Sequence, residues 1–161
     1  MARKTIHYMD LESLLAVNKE VVMLTNEPHG FTPADGEKLQ ELLAEVEGRG
    51  NNEKLGAAVS EKAALLVFRI ASGQHFRGGN KRTALVAGVV FLRKNGRKMD
   101  ITDPAFVSTV DKVGIAAATL DDLYAVMEGL VTRSPLERRS WGSTIKQTVA
   151  ANKKFLIETG S

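Results

Sequence analysis

The sequence predicts an all-α domain, a helical bundle around one buried central helix at about residues 80–95, with an extra helix at the C-terminal end. Apolar residues recur at helical spacing through almost the whole chain. Three of the four prolines, Pro33, Pro104 and Pro135, each follow a residue able to cap a helix. The run Ala84 to Leu92 is apolar on every face, as in a helix surrounded by other helices. With 161 residues, 43% of them apolar and 25% charged, the chain suits one core, because a chain of about 150 residues hides roughly 70% of its extended surface.

Asp10 caps a first helix whose core face is Leu11, Leu14, Leu15, Val17, Val21, Val22 and Leu24. Asn26-Glu-Pro-His-Gly30 breaks it. Thr32-Pro33-Ala-Asp35 supplies a capping hydroxyl, a first-turn proline and an acid before a second helix that ends near Gly48. Arg49-Gly-Asn-Asn52 reads as a turn, and a long third helix runs from about Glu53 to Ser72.

Gly73 to Gly79 forms a loop, after which Asn80 caps the central helix, ended by Asn95-Gly96. Val86, Val89 and Val90 favour strand locally, yet so long an apolar stretch before Gly96 fits a buried helix better. Asp103-Pro104 opens a helix to about Ala118, and Thr119 caps Leu120 to Val131. Ser134-Pro-Leu-Glu137 has the form of a capping box and opens a terminal segment that Gly142 interrupts before Ser143 to Glu158. The expected division is a domain over 1–132 and a helical extension over 133–161.

The absence of cysteine excludes disulfide scaffolds, thiolate zinc sites and cysteine nucleophiles. No apolar run approaches the length of a membrane span and Met1-Ala-Arg-Lys leads into no signal-like stretch, so the expected location is the cytoplasm. The net charge of +3 is uninformative, but its distribution is not. Between Glu61 and Asp100 there is no acid, while Lys62, Arg69, Arg77, Lys81, Arg82, Arg93, Lys94, Arg97 and Lys98 are basic. Residues 131–161 add six basic side chains against two acidic ones. Such a window either focuses positive potential on an anion or forms the solvated ends of two buried helices.

Chemistry concentrates in Gly73-Gln-His-Phe-Arg-Gly-Gly-Asn-Lys-Arg-Thr83. Gly78 and Gly79 let the backbone approach a ligand, and the residues after them open a helix whose free N–H groups and dipole favour an anion. Arg77, Lys81 and Arg82 place cations around the same point, and Asn80 can donate an amide to a phosphoryl oxygen. The loop is neither a Walker A loop nor a Rossmann fingerprint, and many such loops only turn the chain.

Phe76-Arg-Gly-Gly-Asn-Lys-Arg-Thr-Ala84, followed by Val90-Phe-Leu-Arg-Lys-Asn-Gly96, resembles the signature region of Fic and Doc (Fido-fold) proteins. It is closest to the Doc, or death-on-curing, branch, whose pattern is H-x-F-x-[D/E]-(G/A)-N-K-R-T-A. The likeness is specific over about residues 55–100, follows helix order from 10 to 130, and leaves the residues beyond about 132 as an addition. The resemblance implies an all-α core that presents this loop to the phosphates of ATP or another nucleotide. It also implies transfer of AMP, or of phosphate in Doc, onto a hydroxyl side chain of a target protein, and in toxin-like members an antitoxin partner.

Residue by residue, the resemblance places the family aromatic on Phe76, its glycine on Gly79 and its phosphate contacts on Asn80 and Arg82, with Lys81 matching the Doc variant. The catalytic histidine falls on Gln74, with His75 one place late, and the metal-binding acid falls on Gly78. A carboxamide cannot take a proton as imidazole does. Without a carboxylate at 78 the motif has no ligand for Mg²⁺, which counts against that ion. Two substitutions could restore the chemistry: a rearrangement bringing His75 to the base position, or Arg77 with Lys81 replacing the metal's charge.

His29 lies where the family's target-docking flap falls, and is equally a polar loop histidine. The family's inhibitory motif, [S/T]-x-x-x-E-[G/N], has no match: Glu128-Gly129 and Glu47-Gly48 are preceded by Tyr124 and Leu43, and Glu158 by Lys154. The terminal segment can still lie over the site. Its Arg133, Arg138, Arg139, Trp141, Lys146, Lys153 and Lys154 suit a partner-binding or dimer helix better than nucleic acid. Three readings follow. In the first, a phosphate or nucleotide-binding Doc-like protein has weak or no transferase activity. In the second, an active AMP- or phosphotransferase uses His75. The third is a basic nucleic-acid or protein interaction module.

Overall fold

The computed structural model describes residues 5–48 and 55–160. Eight helices and a two-stranded ribbon occupy them: α1 (Leu11–Met23), α2 (Pro33–Gly48), α3 (Leu55–Gly73), α4 (Asn80–Lys94), β1 (Arg97–Lys98), α5 (Pro104–Gly114), α6 (Leu120–Leu130), β2 (Thr132–Arg133), α7 (Trp141–Ala151) and α8 (Lys153–Glu158). The fold is all-α, as the hydrophobic periodicity predicts. Both the turn read at 49–52 and the first residues of the third helix lie outside the described residues. No described helix is long and apolar enough to cross a membrane.

α4 is the axis. Every residue from Arg82 to Leu92 is buried, and α1, α3, α5 and α7 all pack on it. α2 and α6 lie against α3. The valines of α4 accept helical geometry because each face meets an apolar neighbour, so burial outweighs their strand preference. Ile145 and Val149 of α7 and Leu156 of α8 belong to the same core as α1 and α4. Residues 133–161 are therefore packed on the bundle.

Several start signals act as read. Asp10 accepts from the Ser13 N–H at 2.8 Å. Thr32 Oγ1 accepts from the Asp35 N–H at 3.3 Å, and Thr119 forms a capping box with Asp122. Others differ. Asn80 is the first residue of α4 and its N-cap is Gly79, whose left-handed φ of 69° suits glycine. The α5 helix stops at Gly114, short of Ala118, and Ala116 follows at a φ of 59°.

Ser134 to Ser140 is a loop rather than a helix start, so Pro135 opens no helix. Glu137 is drawn instead to Arg93 Nη2 at 2.8 Å and accepts from the Arg139 N–H at 3.0 Å. Ser140 caps α7, whose first turn includes Gly142, and Asn152 separates α7 from α8. The ribbon is an element the sequence reading lacks: β1 and β2 pair antiparallel with Arg97 opposite Arg133 and Lys98 opposite Thr132.

Candidate functional site

The loop between α3 and α4 is closed by Asn80. Its side-chain carbonyl accepts from the Phe76 N–H at 3.0 Å and its amide donates to the Phe76 carbonyl at 3.0 Å. Phe76 is buried and anchors the loop in the core. Asn18 of α1, also buried, donates to the Gly78 carbonyl at 2.9 Å and to Thr83 Oγ1 at 3.1 Å, while its oxygen accepts from the Gly30 N–H at 3.1 Å. With the Arg77 N–H on the Gly30 carbonyl at 3.0 Å, the segment 26–30 is fastened over the loop. These bonds leave the start of α4 with a fixed geometry before any ligand arrives.

A carboxylate already lies in that cradle. Glu27 Oε2 accepts from the Gly79 N–H at 3.0 Å, and Glu27 Oε1 accepts from Arg82 Nη1 at 2.5 Å. Arg82 Nε and Nη2 donate to the carbonyls of Leu156 and Ile157 in α8. All three guanidinium nitrogens of Arg82 thus donate within the protein, and its side chain is only 5% exposed. Burial pushes the Glu27 carboxyl up, but the Thr25 hydroxyl, the Arg82 guanidinium and the Gly79 N–H together hold it below the usual carboxylate range.

Lys81 is similarly engaged, 2.6 Å from Asp111 Oδ1 and 2.8 Å from the Thr159 carbonyl. Arg77 is exposed, with no ion-pair partner among the described residues. The terminal segment therefore covers the site through its backbone carbonyls.

The adjacent residues Gln74 and His75 line different hollows. Gln74 has a φ of 53° and folds its amide back onto the Ala71 carbonyl at 2.6 Å. It lines a hollow with Lys81 and Asp111. His75 lines another, with Arg69, Glu45 and Lys38, and its Nδ1 is 3.1 Å from Asp35 Oδ1. The Thr32 hydroxyl and then His75 hold the Asp35 carboxyl below its ordinary range.

At Gly78 a Cβ would come 2.8 Å from the Pro28 carbonyl oxygen and 3.1 Å from Glu27 Oε2. The space a side chain would enter there is filled by the 26–30 segment. The carboxylate beside Gly78 is committed to Arg82 and Gly79, and among the described residues no group of three or more acids or histidines could hold a metal ion. The residues present do not fit a magnesium ion.

Glu27 and Asn18 are the site residues that sequence reading missed. Each left a signal. A buried arginine needs an acid, and the acid-free window around Arg82 requires that acid to come from elsewhere in the chain. Asn18 lies one helical turn from Leu14 on the core face of α1, where a polar side chain needs a buried partner. Neither signal identifies the partner, 55 residues away for Glu27 and 60 for Asn18.

No curated protein and no solved structure matches the chain. The family model described as Fic/DOC matches residues 6–92, from the approach to α1 through the end of the buried run of α4. That stretch is more than half of the sequence and contains the described contacts of the cradle except those from Asp111, α8 and Thr159, so the chain belongs to the Fic/DOC family.

Proposed function

We propose that this protein is a Fic/DOC-family phosphate- or nucleotide-binding protein with little or no transferase activity. Its loop, Arg77 to Arg82, recognises an anionic oxygen that Glu27 supplies until a ligand displaces it. The observation that carries this reading is the Glu27 carboxylate held at once by the Gly79 N–H and the Arg82 guanidinium. Those are the donors a phosphoryl group would use at a helix N-terminus.

Chemistry beyond binding lacks its parts. Gln74 cannot take a proton from a target hydroxyl, and loss of a general base alone costs about a hundred- to ten-thousandfold in rate. His75 contacts Asp35 and lines a separate hollow from Gln74 and Lys81. The role left to the site is regulatory: an occupied cradle changes the 26–30 segment and α8, the surfaces a target or antitoxin-like protein would meet.

The test is thermal unfolding with ATP, with and without Mg²⁺, on the native chain, Glu27→Gln and Arg82→Ala. Ligand at about a hundred times its dissociation constant adds about 2.7 kcal/mol. The native chain should shift without needing Mg²⁺, Glu27→Gln should shift at lower ATP, and Arg82→Ala should not shift. No shift in either the native chain or Glu27→Gln overturns the reading. Mass-spectrometric detection of AMP or phosphate on the protein, lost in His75→Ala, would replace it with a transferase.

A further inference from the structure

At the C-terminal end of α4, the ribbon joins two basic stretches that lie far apart in sequence. Arg97 and Lys98 come from the acid-free window, and Arg133, Arg138 and Arg139 come from the tail. Directly opposed residues of an antiparallel pair project from the same face, so Arg97 and Arg133 confront each other across the ribbon. Like charges so placed oppose the pairing unless an anion lies between them.

Neutralisation is sparse here. Glu137 is held by Arg93 at 2.8 Å and lies 3.9 Å from Arg139; the Arg139 N–H, then Arg93 and Arg139, keep its carboxyl below the ordinary range. Lys94 donates to the carbonyls of Glu137 and Arg139 and lies 5.6 Å over the Trp141 ring. These contacts fix the 134–140 loop. Among the described residues, Arg97, Lys98, Arg133 and Arg138 have no carboxylate within ion-pair distance. Glu128 lines the hollow beside Arg97 and Arg133 without pairing with either.

We infer that this end of the molecule, the β1–β2 ribbon with the 134–140 loop, binds the phosphodiester backbone of nucleic acid. Lys98 and Arg138 line an open hollow of about 650 Å³ whose apolar lining is Pro135 and Leu136. Protein interfaces centre on aromatic and aliphatic anchors and exclude charge from their middle, the reverse of this surface. Three of the four unpaired cations are arginines, whose planar forks match phosphate oxygens. The amide that lines the hollow, Gln147, has its oxygen taken by Arg93 and Arg139, and the unpaired cations carry the surface, so the recognition inferred is of backbone and not of sequence. The tail alone carries too little charge for this; the ribbon adds the missing half.

The probe is a short, mixed-sequence DNA duplex and its RNA counterpart, titrated by fluorescence anisotropy against the full chain. Contacts from about four cations give binding that weakens roughly a hundredfold between about 50 and 200 mM salt. Arg97→Ala with Arg133→Ala should flatten the salt slope by about two contacts, Arg97→Lys with Arg133→Lys should keep it, and Lys19→Ala on α1 should leave it unchanged. Equal binding of both duplexes supports backbone recognition. No binding at low salt overturns the inference, as does unchanged binding by a natively folded Arg97, Arg133, Arg138 and Lys98 alanine variant. Polyglutamate competing as well as DNA would assign the surface to an acidic protein and overturn it too.

Discussion

Both ends of α4 carry cations, and they use them in different ways. At the N-terminal end, Arg82 and Lys81 are buried or nearly so and reach Glu27, Asp111 and the carbonyls of α8. At the C-terminal end, Arg97, Lys98, Arg133 and Arg138 have no acid partner among the described residues. The loop expected from the sequence to hold phosphate lies at the first end, where the charges of Lys81 and Arg82 are already answered from within. The lesson is that a basic window in a sequence counts charges and says nothing of who neutralises them. Lys62 illustrates the same point, since it is buried and caps α2 through the carbonyls of Val46 and Glu47.

The comparison breaks first at Arg82. Replacing it with Ala removes the charge-assisted bonds to Glu27 and α8 together with the packing of its stem, a loss of about 3 kcal/mol. The melting temperature should fall by roughly 9 °C, whereas Arg138→Ala should change stability by less than about 0.5 kcal/mol. Calorimetry on both variants checks this. Equal effects would mean that the two ends do not differ as their pairing indicates.

Glu27→Gln comes next, at about 2 kcal/mol, because the amide oxygen can still accept from Arg82 but carries no charge. Its signature is pH dependence. The Glu27 carboxyl is held below its ordinary value of 4.5 in the folded chain, so its contribution is fully present above that value and disappears as pH falls through the folded-state value. Denaturant midpoints should therefore show a constant gap between native chain and variant near neutrality, closing on acidification below about pH 4.5. A gap that persists in acid would show that the amide, and not the lost charge, causes the difference.

How far the sequence reaches follows from the same contrast. α4 is legible because its apolar surround is written into consecutive residues, Ala84 to Leu92. Caps such as Asp10 and Thr119 are legible because donor and acceptor lie three residues apart. Ser134-Pro-Leu-Glu137 misleads because its glutamate is taken by a guanidinium 44 residues away and by the Arg139 N–H, while the Ser134 N–H donates to the Gly96 carbonyl. Asn80 misleads in the same manner, spending its amide on Phe76 instead of capping α4. In the cradle the family pattern identifies Gly79 and Arg82, but the ligand they hold in this chain, Glu27, depends on a fold-level approach that no local spacing encodes. The two-residue strands of the ribbon are too short to show any period.

The smallest effect is the most specific to the unneutralised end. With Arg97 directly across from Arg133, the free protein holds two like charges together, and cross-strand pairs are worth about 0.2–1 kcal/mol in either direction. Arg133→Gln keeps an unbranched polar side chain at this exposed position while removing one charge. Its expected effect is therefore a gain of a few tenths of a kcal/mol at low ionic strength. The gain should vanish near 1 M salt, where the screening length is only about 3 Å. Arg133→Glu should gain more, since it turns the repulsion into an opposite-charge pair. Melting curves of the three proteins across a salt series measure this directly. If Arg133→Gln is instead less stable at low salt, Arg133 has an acidic partner in the free protein, and the two ends of α4 are neutralised alike.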